Sequence, residues 1–177
     1  MNMKFDVSAG ALLLFALTWF FDTGGVFAAL VPAVAVHELG HIAALRLSGA
    51  HLTRLRLDVF GCRLDYHGEP SRGWMLCAVL AGPAVGLVYG LVALAAGGSY
   101  GETTGVVSFL LTVFNLLPIL PLDGGRALAL LAGPAAAERV SRITAAALVA
   151  FGLWALFVHG WLSPLLAGGW LLAVNVS

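Results

Sequence analysis

Between Gly24 and Leu45 the only ionisable side chains are His37, Glu38 and His41; every other residue is apolar or glycine. A run of this length is enough to cross a bilayer, which takes about 20 residues of helix. In hydrocarbon each backbone N–H and C=O must find a partner inside the protein, so such a run must be helical. Ionisable groups at that depth are costly and mark function. In His37-Glu38-Leu39-Gly40-His41 the histidines are four residues apart and share a helix face, so both imidazoles can grip one Zn²⁺. Glu38 stands beside that face, where a carboxylate can take a proton from water next to a metal. A metal-free cluster of these three groups would need elaborate compensation in hydrocarbon.

The rest of the chain agrees with a membrane setting. Of 177 residues, 60% are hydrophobic and 10% charged, whereas soluble domains carry about 25% charge. Six apolar runs are visible, at about 7–21, 24–45, 73–96, 104–122, 141–158 and 161–176. The expected fold is an all-α polytopic membrane protein, with about six transmembrane helices and a small cytoplasmic-side β-hairpin. It reads as one membrane-embedded domain over 1–177 with its core at 24–126. The first and sixth runs are short for a span. Lys4 ahead of the run Ala9 to Phe21 could pass for a signal peptide, but no clean cleavage site follows, so a retained anchor helix is the preferred reading. Net charge is zero, and no basic tail or nucleic-acid motif is present, so the partners expected are the lipid bilayer and proteins within it, not nucleic acid. Cys62 and Cys77 fall in unlike segments, a polar one and an apolar one, and read as small apolar fillers outside any disulfide framework.

Arg46, Arg54, Arg56, Arg63 and Arg72 lie between the second and third runs, and Arg139 and Arg142 between the fourth and fifth. The opposite connections lack Lys and Arg. The positive-inside rule then puts both termini and the arginine-bearing loops in the cytoplasm. Trp74, Trp154 and Trp161 stand at run boundaries, where interfacial aromatics belong. In the long loop, Leu55, Leu57 and Val59 alternate with Arg54, Arg56 and Asp58, and Cys62, Leu64 and Tyr66 with Arg63, Asp65 and His67. Period two around Phe60-Gly61 predicts a β-hairpin, serving as a membrane-surface flap or as an edge that pairs with an extended peptide. His51, His67, His159, Glu102 and Glu138 read as solvated loop residues, Arg126 as an interfacial anchor, and Asn175 as the end of the last span. Ala78, Gly82, Gly86 and Gly90 recur every fourth residue, a signal for close helix packing.

Two histidines leave a catalytic zinc site one protein ligand short. Asp123 is the candidate. It follows Pro118 and Pro121, which break a helix, and precedes Gly124 and Gly125, which permit unusual dihedrals. Broken backbone at membrane depth is tolerated where it lines a cavity. Both motifs fall near the cytoplasmic ends of runs that travel inward, so they can reach a common depth. Asn115 either belongs to such a site or caps a broken helix.

HELGH in one span and NLLPILPLDGGR in a later one resemble the site-2 protease family of intramembrane zinc metalloproteases. The layout is most similar to its stage IV sporulation branch. The resemblance covers about 24–126 by motif and the rest by topology. It implies that His37, His41 and Asp123 are zinc ligands and Glu38 the general base. Asn115 and Pro121 resemble positions near the substrate path. Ala81-Gly82-Pro83 resembles a Gly-Pro element whose pattern often continues to an Asn, where this chain has Gly86. The branch's added nucleotide-binding domain is not expected here, nor is ATP regulation.

The function so implied is hydrolysis of peptide bonds in membrane-tethered regulatory proteins, within or near the membrane. The substrate would be a membrane protein with a locally unwound segment, since a helix hides its carbonyls. The setting would be a bacterial cell membrane, multi-pass, with the active site toward the cytoplasm. The glycine-lined third run permits close contact in a homo-oligomer or with a regulatory membrane partner. Two other classes compete. A membrane metal transporter would also use intramembrane His and Asp, but no chain of polar residues continues across the bilayer. A catalytically inactive, membrane-protein-binding homologue has no need of the full His-Glu-His-Asp set.

Overall fold

The computed structural model describes residues 4–22, 24–58 and 61–176. The chain divides into two compact units, Met1–Val113 and Phe114–Ser177.

The first unit begins with strand β1 (Lys4–Val7) and helices α1 (Ala9–Phe20) and α2 (Val26–Leu47). Strands β2 (His51–Asp58) and β3 (Gly61–His67) follow, then α3 (Arg72–Ala96) and α4 (Gly98–Asn115), whose last residues belong to the second unit. The sheet order is β1-β2-β3. β2 and β3 are antiparallel, pairing Leu52 with Tyr66, Leu55 with Leu64 and Leu57 with Cys62. The expected hairpin is therefore present, although its turn residues Val59 and Phe60 lie outside the described residues. The third strand is an addition to that expectation: β1 runs parallel to β2, from Lys4 opposite Arg54 to Val7 opposite Leu57. Four residues carry too short an alternation to announce a strand. His51 and His67, expected in loops, face each other across the β2–β3 pair and remain exposed.

The second unit starts with irregular backbone from 116 to 122, in which the Leu120–Pro121 peptide is cis. Helices α5 (Asp123–Ala132), α6 (Pro134–His159) and α7 (Ser163–Val176) complete it. The expected fourth run, 104–122, thus splits. Its helix starts earlier, at Gly98, and stops at Asn115, where the proline-rich stretch takes over. The fifth also starts earlier than its apolar run suggests. Pro134 opens α6 at the first-turn position proline favours, and the alanines after it are good helix formers. Glu138, Arg139 and Arg142 therefore stand on a helix, not in a loop. Glu102 likewise sits on α4. Charge ends an apolar run without ending a helix.

Among the described residues, three helices are long and apolar enough to cross a membrane, α2, α3 and α6, and α1 and α7 are shorter apolar helices. Most of the fully buried side chains among the described residues are small. Ala29, Ala33, Ala137, Ala145 and Ala155 are fully buried, while Leu91, Val92, Phe109, Leu110 and Phe157 are exposed. Water would drive the large apolar side chains inward. In lipid, small residues go to helix interfaces and large ones face the tails. The composition of the interior thus argues for a membrane protein independently of helix length.

The proline inside α2 is compensated. Pro32 lies within α2 and supplies no N–H to the carbonyl of Ala28. The Tyr100 hydroxyl, on α4, donates to that carbonyl at 3.2 Å.

Candidate metal centre

α2 carries His37 and His41 on one face, as the spacing requires. Their Nε2 atoms are 3.1 Å apart, with the rings nearly perpendicular at 80°. His37 is buried, 4% exposed. His41 Nδ1 lies 2.8 Å from the Ala78 carbonyl on α3. A carbonyl only accepts, so Nδ1 carries the proton and Nε2 presents its lone pair. This is how metal-binding histidines are commonly fixed: one nitrogen anchored, the other free to ligate.

α3 can approach α2 that closely because of glycines on both helices. A Cβ on Gly40 would strike the Ala81 backbone, and one on Gly82 would strike the His41 ring. A Cβ on Gly86 would sit 3.4 Å from Thr112 Oγ1 and 3.6 Å from His37 Nδ1, an ordinary contact. The small-residue stripe expected to serve packing alone therefore also shapes the wall around the two imidazoles.

Glu38 is half-buried on α2, beside the histidine face. The Cys62 thiol on β3 donates a hydrogen bond to its carboxylate. Burial, followed by the nearby Glu38 charge, pushes the thiol up to about 12. Cys62, expected to be a plain filler, is thus in contact with a candidate catalytic group.

In the second unit Asp123 is the first residue of α5 and is buried, 6% exposed. Its position depends on the irregular backbone before it. Gly124 and Gly125 lie against that segment so closely that a Cβ on either would meet backbone atoms, of Leu116 and Leu117 for Gly124 and of Ile119 and Leu120 for Gly125. At Leu120 the segment's backbone groups are taken up by side chains. Leu120 N–H donates to Ser141 Oγ on α6 at 2.9 Å. Asn175 Nδ2, on α7, donates to the Leu120 carbonyl at 2.6 Å and to the Leu171 carbonyl at 2.8 Å. Asn175, expected to be only a helix end, ties the unwound segment down. Ser141 and Asn175 carry no sequence signal for this role, because a lone polar residue in an apolar run looks alike whether it anchors backbone or not. Asn115 is the last residue of α4 and half-buried, and Pro121 is exposed.

Residues 98–159 match the family model of peptidase family M50. The chain is 33% identical over 178 residues to Rip3 of Mycobacterium tuberculosis, provisionally named a zinc metalloprotease, covering 86% of this chain and 43% of that protein. It is 35% identical over 109 residues to sll0528 of Synechocystis, also provisionally named a zinc metalloprotease, covering 56% of this chain and 29% of that one. The zinc metalloprotease MJ0392 of Methanocaldococcus jannaschii is 29% identical over 112 residues, covering 58% and 33%. The chain thus spans less than half the length of these curated relatives. Its fold resembles that of a site-2 protease from Methanocaldococcus jannaschii, with a TM-score of 0.73, 21% identity, and coverage of 99% of this chain and 91% of the other. Family match, relatives and fold likeness together support the peptidase M50, or site-2 protease, family.

Proposed function

We propose that the chain is a zinc metalloendopeptidase of the site-2 protease type, cutting membrane-tethered regulatory proteins within or near the membrane. The observation that carries the reading is the His37–His41 pair. Two nitrogens each about 2.0–2.1 Å from a tetrahedral zinc lie roughly 3.3–3.4 Å apart, and these stand at 3.1 Å with one ring already anchored through its far nitrogen. The third ligand we assign is Asp123, on the resemblance of its PLDGG segment to the family motif. Two imidazoles and a carboxylate would make a set of the catalytic kind, with three protein ligands and one open position.

Zinc would supply Lewis acidity there, polarising a scissile carbonyl and letting water ionise near neutral pH. His37 and His41 act as neutral ligands, His41 held in orientation by Ala78. Asp123 adds the charge that offsets the cation. Glu38, outside the ligand set, takes the attacking water's proton and passes it to the leaving amine. The substrate is a membrane protein with a locally unwound stretch. The β2–β3 hairpin and the segment from Asn115 to Pro121 are the surfaces we assign to holding it. Six apolar segments, α1 to α4, α6 and α7, make up the membrane part of one proteolytic domain. Both termini, the hairpin and the site are cytoplasmic by the arginine distribution, a layout nearest the sporulation branch.

The test is zinc content and cleavage of a co-expressed tethered reporter in two variants. Glu38→Gln keeps its zinc and loses cleavage by about 10²–10⁴-fold. Asp123→Asn loses zinc on dialysis against a chelator. Zinc-dependent cleavage by Glu38→Gln, or full zinc retention by Asp123→Asn, overturns the respective role. Zinc flux in proteoliposomes without proteolysis would favour a transporter, and zinc binding with no cleavage of any tethered reporter an inactive homologue.

A further inference from the structure

On α2, Glu38, Ile42 and Leu45 fall at i, i+4 and i+7, one stripe of the helix next to the histidine face. The β2–β3 hairpin is seated on the lower part of that stripe. Leu52 and Leu55 of β2 are buried with Ile42, Leu45 and Ala78, and Leu57, Cys62, Leu64 and Tyr66 pack around them. Tyr66 Oη donates to Met75 Sδ at 3.7 Å, tying β3 to the first turn of α3. This seam carries the hairpin along α2 to Glu38, where Cys62, opposite Leu57 in the pairing, meets the carboxylate.

We propose that Cys62 is a positioning residue: the docked hairpin holds its thiol against Glu38 and so keeps the carboxylate in the orientation from which it accepts a proton. The proposal rests on Glu38 being the general base. A carboxylate offers about four lone-pair positions, so one bond from Cys62 leaves room for water on the other oxygen. A thiol is also a weak donor, which orients the base without depressing its basicity as a cation would. With its acidity pushed up to about 12, the thiol stays protonated at neutral pH. It acts as a donor only and is not available as a thiolate ligand.

Two arms test this in the whole chain, in a Cys77→Ser background so that one thiol remains. The first needs no proteolysis. N-ethylmaleimide modifies Cys62 slowly at pH 8, and Glu38→Gln speeds modification about tenfold, since removing the neighbouring charge favours the reactive thiolate. An unchanged rate means the contact does not exist and overturns the proposal. The second arm follows cleavage of a quenched-fluorescence reporter bearing one transmembrane segment. Cys62→Ala lowers kcat about tenfold with KM unchanged, and Cys62→Ser, which restores a donor of similar size, recovers most of the loss. A residue that merely filled apolar space would rank the variants the other way, because alanine suits such a site better than serine. Alanine matching or exceeding serine overturns the proposal. Should neither the parent chain nor any variant cleave the reporter, the protease reading fails, while the alkylation arm still decides whether thiol and carboxylate are coupled.

Discussion

In the unit ending at Val113, His37 and His41 are placed by regular structure. Both stand on one helix, and glycines bring a second helix near enough for its carbonyl to anchor one ring. In the unit beginning at Phe114, Asp123 follows backbone that makes no helix, and Ser141 and Asn175 hold that backbone through side-chain hydrogen bonds. The first half achieves precision by excluding volume, the second by satisfying polar groups. The two should therefore fail differently, the first when a methyl is added and the second when a polar group is removed.

The largest effect is expected at Gly82. A methyl there strikes the His41 imidazole, and overpacking of this kind costs about 1–3 kcal/mol. Here much of that strain falls on the proposed ligand His41. Gly82→Ala should lower zinc retention after chelator dialysis at least about tenfold, one decade being about 1.4 kcal/mol, and also reduce thermal stability. Gly86→Ala is the matched comparison, because its methyl makes only ordinary contacts with Thr112 and His37; it should keep its zinc. Equal zinc retention by the two variants would show that α2 and α3 yield readily, and that excluded volume does not fix the pair.

That contrast also marks what can be read from the chain. The histidine pair, Glu38, the unwound stretch around Pro118 and Pro121, and the hairpin are legible, because each is a local pattern: spacing four, proline, period two. Asp123 is legible as a carboxylate where a helix must break. The anchors are not. Ala78 contributes a backbone carbonyl, which any residue could offer. Gly82 declares close packing, but not the neighbour it packs against. Cys62 and Asn175 act across 24 and 55 positions of sequence on Glu38 and Leu120, and no periodicity reports contacts at such separations. β1 escapes notice because its partner strand lies across two helices. The bounds of α4 and α6 differ from those of the apolar runs because hydropathy marks where lipid-compatible sequence ends, not where hydrogen bonding does.

A middle-sized effect is expected in the second half. Asn175→Ala removes the donor to the half-buried Leu120 carbonyl, and leaving such a backbone acceptor unsatisfied costs on the order of 1 kcal/mol, the lower end of the range for buried groups. Ser141→Ala does the same to the Leu120 N–H. Hydrogen exchange should quicken at Leu117, Ile119, Leu120 and Leu122 in both variants, while the amides of α2 around His37 keep their protection. If protection around His37 fell equally, the halves would be one cooperative element and the contrast between them would dissolve.

The smallest effect concerns surface charge. Arg142 and Glu138 are paired at 3.8 Å, one turn apart on α6, with side chains 57% and 58% exposed. Such i,i+4 pairs contribute about 0.3–0.5 kcal/mol, and this one is long and accessible to screening. Arg142→Gln should therefore shift the melting temperature by no more than about a degree or two, with a difference that fades as salt is raised. Zinc content should stay unchanged. Arg142 lies one residue from Ser141, whose hydroxyl holds the Leu120 amide, so the variant also asks whether that anchor depends on the charge beside it. The helix fixes Ser141 by its own backbone bonds and turns it inward while Arg142 points out. A zinc loss in Arg142→Gln comparable to that of Gly82→Ala would mean that the exposed pair, not the buried hydroxyl, sets the position of the unwound segment.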